Sequence, residues 1–231
     1  MHDGDLSIGI VFRLGPMAIS TTVVTTWVIL LLLGLLAWLA ARRLRVDQPG
    51  RLQTALEGVV LTIEEAVRAV AGPATPQIMP FIGTLWVFLV TANLSGLLPG
   101  AHAPTRDLSA TSGLAFLVFL SVHWFGIRSQ GLKTYLRHYL SPTPILLPFH
   151  IISEITRTVA LAVRLFGNMM SLEMAALLIL VVAGFLAPVP ILALHVVEAL
   201  VQAYIFGMLA LIYVASALQS QQLRQANQEK E

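Results

Sequence analysis

The chain contains no cysteine, so disulfides, thiol catalysis and cysteine-based zinc sites are excluded. Charge is scarce as well. Only 11% of the 231 residues are Asp, Glu, Lys or Arg, while 57% are hydrophobic. Soluble domains carry about 25% charged residues, so this much apolar surface could not be covered with polar groups in water. There is no G-x-x-x-x-G-K-[ST] loop and no G-x-G-x-x-G turn, which leaves no visible nucleotide-binding loop of its own. The net charge is only +2, without a long basic run or basic–aromatic interleaving, so no nucleic-acid partner is expected. No cofactor and no metal site on the chain are expected either.

What is present is a series of long apolar segments, and the fold class read from them is an all-α integral membrane protein forming a single membrane domain, residues 1–231. Residues 1–13 form an external N-terminal segment. Residues 14–41 hold no charged side chain and exceed the roughly 20 residues a span needs, so they predict a first crossing. The basic cluster Arg42, Arg43 and Arg45 follows this run rather than preceding it, which reads as a retained helix and not a cleavable signal. Residues 51–71 alternate Leu52, Leu56, Val59, Val60, Ile63, Val67 and Val70 with Glu57, Glu64, Glu65 and Arg68, the pattern of an amphipathic surface helix. Gly72-Pro73 and Pro76 break the chain. Further crossings are predicted at 78–98 and 108–127, then a long helix over 149–186, a turn at Pro188 and Pro190, a last helix over 191–218 and a polar cytoplasmic tail over 219–231.

Five crossings place the termini on opposite sides. Arg13 and Arg106 then lie outside, whereas Arg42, Arg43, Arg45, Arg51, Arg68, Arg128, Lys133, Arg137, Arg224 and Lys230 lie inside. The positive-inside rule therefore favours an external N-terminus and a cytoplasmic C-terminus. Residues 149–186 would reach about 57 Å at 1.5 Å per residue, against a hydrocarbon core of about 30 Å. Two long, strongly inclined helices forming a hairpin follow from that mismatch.

The hairpin holds charges that oil disfavours: Glu154, Arg157, Arg164, Glu173, His195 and Glu198. Each costs at least about 2.5–3.5 kcal/mol near mid-membrane if it is an Arg or Asp, so such residues usually face a bundle interior or a wet cavity. Glu154 and Arg157, three apart, read equally as a structural pair or as part of an ion path. Asn168 follows Arg164 by one turn, and Glu173, nine residues on, points to roughly the opposite face. His195, Glu198 and Gln202 make one polar stripe. Arg164 keeps its proton at any accessible pH and can only be a fixed barrier or a transient carboxylate partner. Glu173 and His195 can exchange protons, or can simply pair with each other across the hairpin. Asn168 and Gln202 can hold water but cannot ionise. His123 reads as structural.

Arg164-Leu165-Phe166-Gly167-Asn168-Met169 closely resembles the R-L-F-G-N motif of subunit a of F-type ATP synthases (the Fo sector). Glu154-Ile155-Thr156-Arg157, Glu173, His195, Gln202-Ala203-Tyr204-Ile205-Phe206 and Asn93-Leu94-Ser95-Gly96-Leu97-Leu98-Pro99-Gly100 resemble the family in order over roughly residues 20–218. The resemblance implies a stationary subunit beside a rotating c-subunit ring, with b subunits of the peripheral stalk and the rest of the complex as partners, in a bacterial inner membrane. It implies two offset half-channels for protons or sodium ions. Arg164 would face the ring's carboxylate with Asn168 and Gln202 as neighbours, and Glu173 and His195 would line the outer half-channel. The chain itself would not be a catalyst, and any sodium site would be on the ring. Thr158, Ala160, Ser171-Leu172 and Glu198 depart from many relatives and resemble the divergent, alternative (N-type) branch thought to move sodium. Two other readings stand beside this one. A self-contained secondary transporter would show internal repeats, which are not seen, and a membrane scaffold would leave Arg164 without a purpose.

Overall fold

The structure, a computed structural model, describes residues 10–14, 17–44, 50–98, 103–131, 147–183 and 188–228. The described residues fold almost entirely as helices. The exception is a small antiparallel hairpin, β1 (Ile10–Leu14) and β2 (Met17–Ser20), with Leu14 opposite Met17. The first crossing helix, α1 (Thr21–Arg43), thus begins later than the expected residue 14. The reason is local: a Gly-Pro dipeptide disfavours helix, and β-branched and aromatic residues precede it in the sequence. Most of the expected external segment, the basic stretch with Lys133 and Arg137, and residues 184–187 and 229–231 lie outside the described residues.

The amphipathic segment is α2 (Arg51–Ala71), and a single 3-10 turn at Gly72–Ala74 joins it to α3 (Thr75–Leu94). Gly72 takes a φ of 54°, open to glycine and strained for other residues, which allows the sharp change of direction. α3 starts three residues before the expected 78, because Pro76 falls in its first turn, where no N–H is needed. It closes at Leu94 in a 3-10 turn, Ser95–Leu97. A further turn, Pro104–Arg106, leads to α4 (Leu108–Gln130), whose N-cap Asp107 accepts from the backbone N–H of Ser109 at 2.9 Å.

The long hairpin is α5 (Leu147–Ala183) and α6 (Pro188–Gln228). The prolines 188 and 190 lie in the first turn of α6, so they start that helix rather than form the turn before it. The expected tail also differs, since 219–228 continues α6. Leu, Gln, Arg and Ala there are good helix formers, and no Gly or Pro interrupts them. Among the described residues, five helical stretches are long and apolar enough to cross a membrane.

α3 and α6 form the centre. Ile78, Ile82, Leu85, Trp86 and Leu89 of α3 are buried against Ala199, Ala203, Phe206, Ala210, Leu211 and Val214 of α6, while α4 and α5 add Val118, Leu161, Leu165 and Met169. Lipid is as apolar as leucine, so close van der Waals packing must hold such helices together, and small residues permit it. Gly207 is the tightest case. A Cβ there would sit 1.8 Å from Nε1 of Trp86. The indole instead donates to the carbonyl of Tyr204 at 3.4 Å, and its ring lies parallel to that of Tyr204. α1 is held more loosely. Ile29 is its only buried residue, packed on Phe88 and Ala92. Thr22 adds a bond from Oγ1 to Oδ2 of Asp107 at 2.9 Å.

Candidate functional site

The N-L-S-G-L-L-P-G segment proves structural in its described part. Asn93 is fully buried, and its Nδ2 donates to the carbonyl of Ala199 at 3.0 Å, tying α3 to α6 beside the polar stripe. A Cβ on Gly96 would reach the Cβ of Ala103 at 3.0 Å, so the absent side chain lets the 103–106 segment fold back onto α3.

α5 presents its two polar groups to different surroundings. Arg164 is exposed on the outer face of the hairpin and makes no hydrogen bond or ion pair among the described residues. Its lane along the helix is Ser153, Thr156, Ala160, Gly167 and Ser171, all small and all exposed or half-buried. A Cβ added at Gly167 would meet nothing within 4 Å, so packing inside this chain does not require glycine there. Leu172, the bulky departure, is buried in the bundle and leaves this lane clear.

One turn beyond the arginine, Nδ2 of Asn168 donates to Oε1 of Gln202 at 2.6 Å, joining α5 to α6. Gln202 is 1% exposed and its Nε2 has no partner. His195, two turns earlier on α6, is 8% exposed, and its Nε2 also lacks a partner. Buried polar atoms left unpaired by protein are ordinarily satisfied by water or an ion. The two orphaned atoms therefore mark the α6 stripe as a place for either. Glu198 on the same stripe is half-buried.

Glu173 is also half-buried, on the side of α5 away from Arg164, as nine residues of helix require. Its Oε1 is held by Nη1 of Arg106. The carboxylate that could have paired with His195 is thus engaged from the α3–α4 connection. Toward the other end of the hairpin, Arg157 stands 4.0 Å from Glu154 and covers the ring of Tyr213 on α6, 4.3 Å from its centroid. This is a strut between the two helices. His123 sits on its own helix, with Nδ1 2.9 Å from the carbonyl of Phe119. Thr158 Oγ1 donates to the carbonyl of Glu154 at 2.9 Å within α5. Among the described residues no group of three His, Asp or Glu side chains could hold a metal.

Sequence reasoning missed Arg106, Trp86, Gly207 and Tyr213. Arg106 read as an ordinary loop cation. Only the pairing of Arg106 with Glu173, on a helix far along the chain, reveals it, and no local pattern encodes that.

Comparison with known proteins places these residues in a lineage. The chain matches the ATP synthase A chain family over residues 23–215. It is 66% identical over 220 residues to ATP synthase subunit a 2 of Pelobacter propionicus, covering 95% of this chain and 96% of the relative. It is 64% identical over 219 residues to ATP synthase subunit a 1 of Hahella chejuensis, covering 95% and 92%. With ATP synthase subunit a of Legionella pneumophila, strain Corby, the identity is 52% over 213 residues, covering 92% and 93%. A family match across most of the chain, joined to near full-length relatives of more than half identity, leads to one conclusion: the chain belongs to the ATP synthase A chain family.

Proposed function

We propose that α5 and α6 are where this chain, an ion-translocating subunit of an F-type ATP synthase or ATPase, passes ions to a rotating c-subunit ring. The observation that carries the reading is Arg164: a permanent cation, exposed and unpaired among the described residues, on a lane of small side chains. A neighbouring helix can approach that lane closely, and a carboxylate on it would meet the guanidinium. The arginine cannot relay protons. It releases the ion from the arriving carboxylate and blocks a direct leak between the two half-channels.

Glu173 and His195 line the outer half-channel, and Asn168 and Gln202 hold water beside the arginine. The orphaned Nε2 atoms of His195 and Gln202 support a hydrated path along this stripe. The positive-inside rule sets the N-terminus outside, and the contacts between elements indicate which ends accompany it. Thr22 at the head of α1 meets Asp107, and Arg106 meets Glu173 in the C-terminal half of α5, so these ends share one side of the bundle. Arg157 and Tyr213 occupy the opposite end. α5, at 37 residues, spans about 55 Å and lies inclined in a core about 30 Å thick. The b subunits and the catalytic sector complete the assembly in a bacterial inner membrane, and the chain contributes ion flow rather than ATP chemistry. Protons or sodium ions are the cargo.

The test is Arg164→Ala in the reconstituted complex. ATP-driven pumping is lost while the subunit stays assembled; normal pumping by the variant would overturn the proposal. Gly167→Leu supplies a second arm. It leaves the fold of this chain intact, since nothing there opposes a side chain, and weakens coupling to the ring.

A further inference from the structure

Arg106 has no part in the path just described, yet it is placed with care. The turn Pro104–Arg106 is built into the bundle, with Pro104 buried and Thr105 fully so. Asp107 next to it is already committed, one oxygen to Thr22 and the other to the backbone of Ser109. Arg106 reaches from this fixed turn to Glu173, and the two side chains remain 27% and 28% exposed. The pair is neither sealed nor fully solvated, so its members can part without stranding a dry charge.

We propose that Arg106 is a positioning residue of the outer ion path. It holds the Glu173 carboxylate against the 104–106 turn and competes with the coupling cation for it, so that ions load on Glu173 only in exchange with the guanidinium. Three features support this. The guanidinium carries its charge at every accessible pH, and so acts as a constant competitor rather than a second proton carrier. The turn is anchored against several helices, so Arg106 stays in place when Glu173 lets go. Thr105 Oγ1, on the residue before Arg106, is buried without a partner and offers an oxygen to water or an ion. Other ionisable groups on the neighbouring elements include His195 and Glu198 of α6, Asp107, His123 and Arg128 of the α4 segment, and His150, Glu154, Arg157 and Arg164 of α5, the last on the far face from Glu173. Arg106 is in ion-pair contact with Glu173.

The inference rests on the ion path proposed above, and the experiment separates the two. Complex in vesicles is driven from the outer side, and ATP synthesis is followed while the outer cation, proton or sodium, is titrated. Arg106→Gln lowers the half-saturating cation concentration roughly tenfold, the scale on which one adjacent opposite charge biases a carboxylate. Arg106→Lys restores a curve near that of the parent. The double variant Arg106→Gln with Glu173→Gln, a neutral pair still able to hydrogen-bond, superimposes on Glu173→Gln alone. An Arg106→Gln curve identical to the parent's overturns the inference. So does a double variant whose curve departs from that of Glu173→Gln, and this arm decides even if Arg106→Gln alone does not assemble. Arg164→Ala run in parallel tests the path itself: if it conducts normally, the path fails, whatever Arg106 does.

Discussion

Gly207→Ala, a single methyl at the α3–α6 contact, puts the close packing of this bundle to its sharpest test. The new Cβ would lie 1.8 Å from Nε1, 2.1 Å from Cδ1 and 2.5 Å from Cε2 of Trp86, whereas ordinary contact begins at 3.4 Å. Three atoms of one ring must therefore retreat together. The indole is 6% exposed and surrounded by core residues, so it cannot swing aside without displacing them. Either it gives up its bond to the Tyr204 carbonyl and its place against the Tyr204 ring, or α6 moves away from α3. Overpacking of this kind costs about 1–3 kcal/mol, and a clash with a buried ring belongs at the upper end. Alanine recovers about 1 kcal/mol of helix propensity over glycine. The net loss is about 2 kcal/mol, and the displaced helix carries Gln202 and His195 with it. Thermal retention of the subunit in detergent-solubilised complex reads the stability, and ATP-driven pumping reads the path. Trp86→Leu combined with Gly207→Ala must be less damaging than the two single changes summed, by about 1 kcal/mol or more, because the smaller side chain vacates the clash. A Gly207→Ala complex with parental thermal stability, or strictly additive single and double variants, would refute the packing logic.

The other expectations concern polar links. Asn93→Leu removes the bond to the Ala199 carbonyl and should lower stability by about 1 kcal/mol, seen as earlier thermal loss of the subunit; an unchanged transition would sink that role. Gln202→Leu breaks the bridge to Asn168 and slows pumping without preventing assembly, which vesicle acidification or sodium uptake will register. Arg157→Ala loses the cover over Tyr213, worth about 0.5–2 kcal/mol, so thermal stability falls while pumping survives. Complete loss of pumping with normal stability would assign Arg157 to the path instead.

Much of this molecule could be read from its amino acids because its strongest signals are local. The apolar runs gave the crossing helices, and nine residues of helix placed Arg164 and Glu173 on opposite faces, as they are found. Helix ends were harder. Pro76, Pro188 and Pro190 read as breaks in the sequence, but proline is comfortable in a first turn, and each helix starts around it. The polar tail was mistaken for a helix end because polarity was weighed above propensity. The long-range partners were out of reach. Arg106 with Glu173, Asn93 with the Ala199 carbonyl and Trp86 against Gly207 join residues on different helices, far apart in the sequence. They are consequences of how the helices stack, and no spacing rule announces them.

The outward position of Arg164 has a cost for a newly made, solitary copy of this polypeptide. On the reading proposed above the side chain faces hydrocarbon with no counter-charge among the described residues, and imposes about 2.5–3.5 kcal/mol or more on the orphan, a sizeable share of the roughly 5–15 kcal/mol that holds a typical protein folded. Docking to a companion that brings an anion relieves this penalty at once. On the function proposed above, the residue that serves rotation therefore also favours recruitment into the complex, and leaves stray copies the more fragile population.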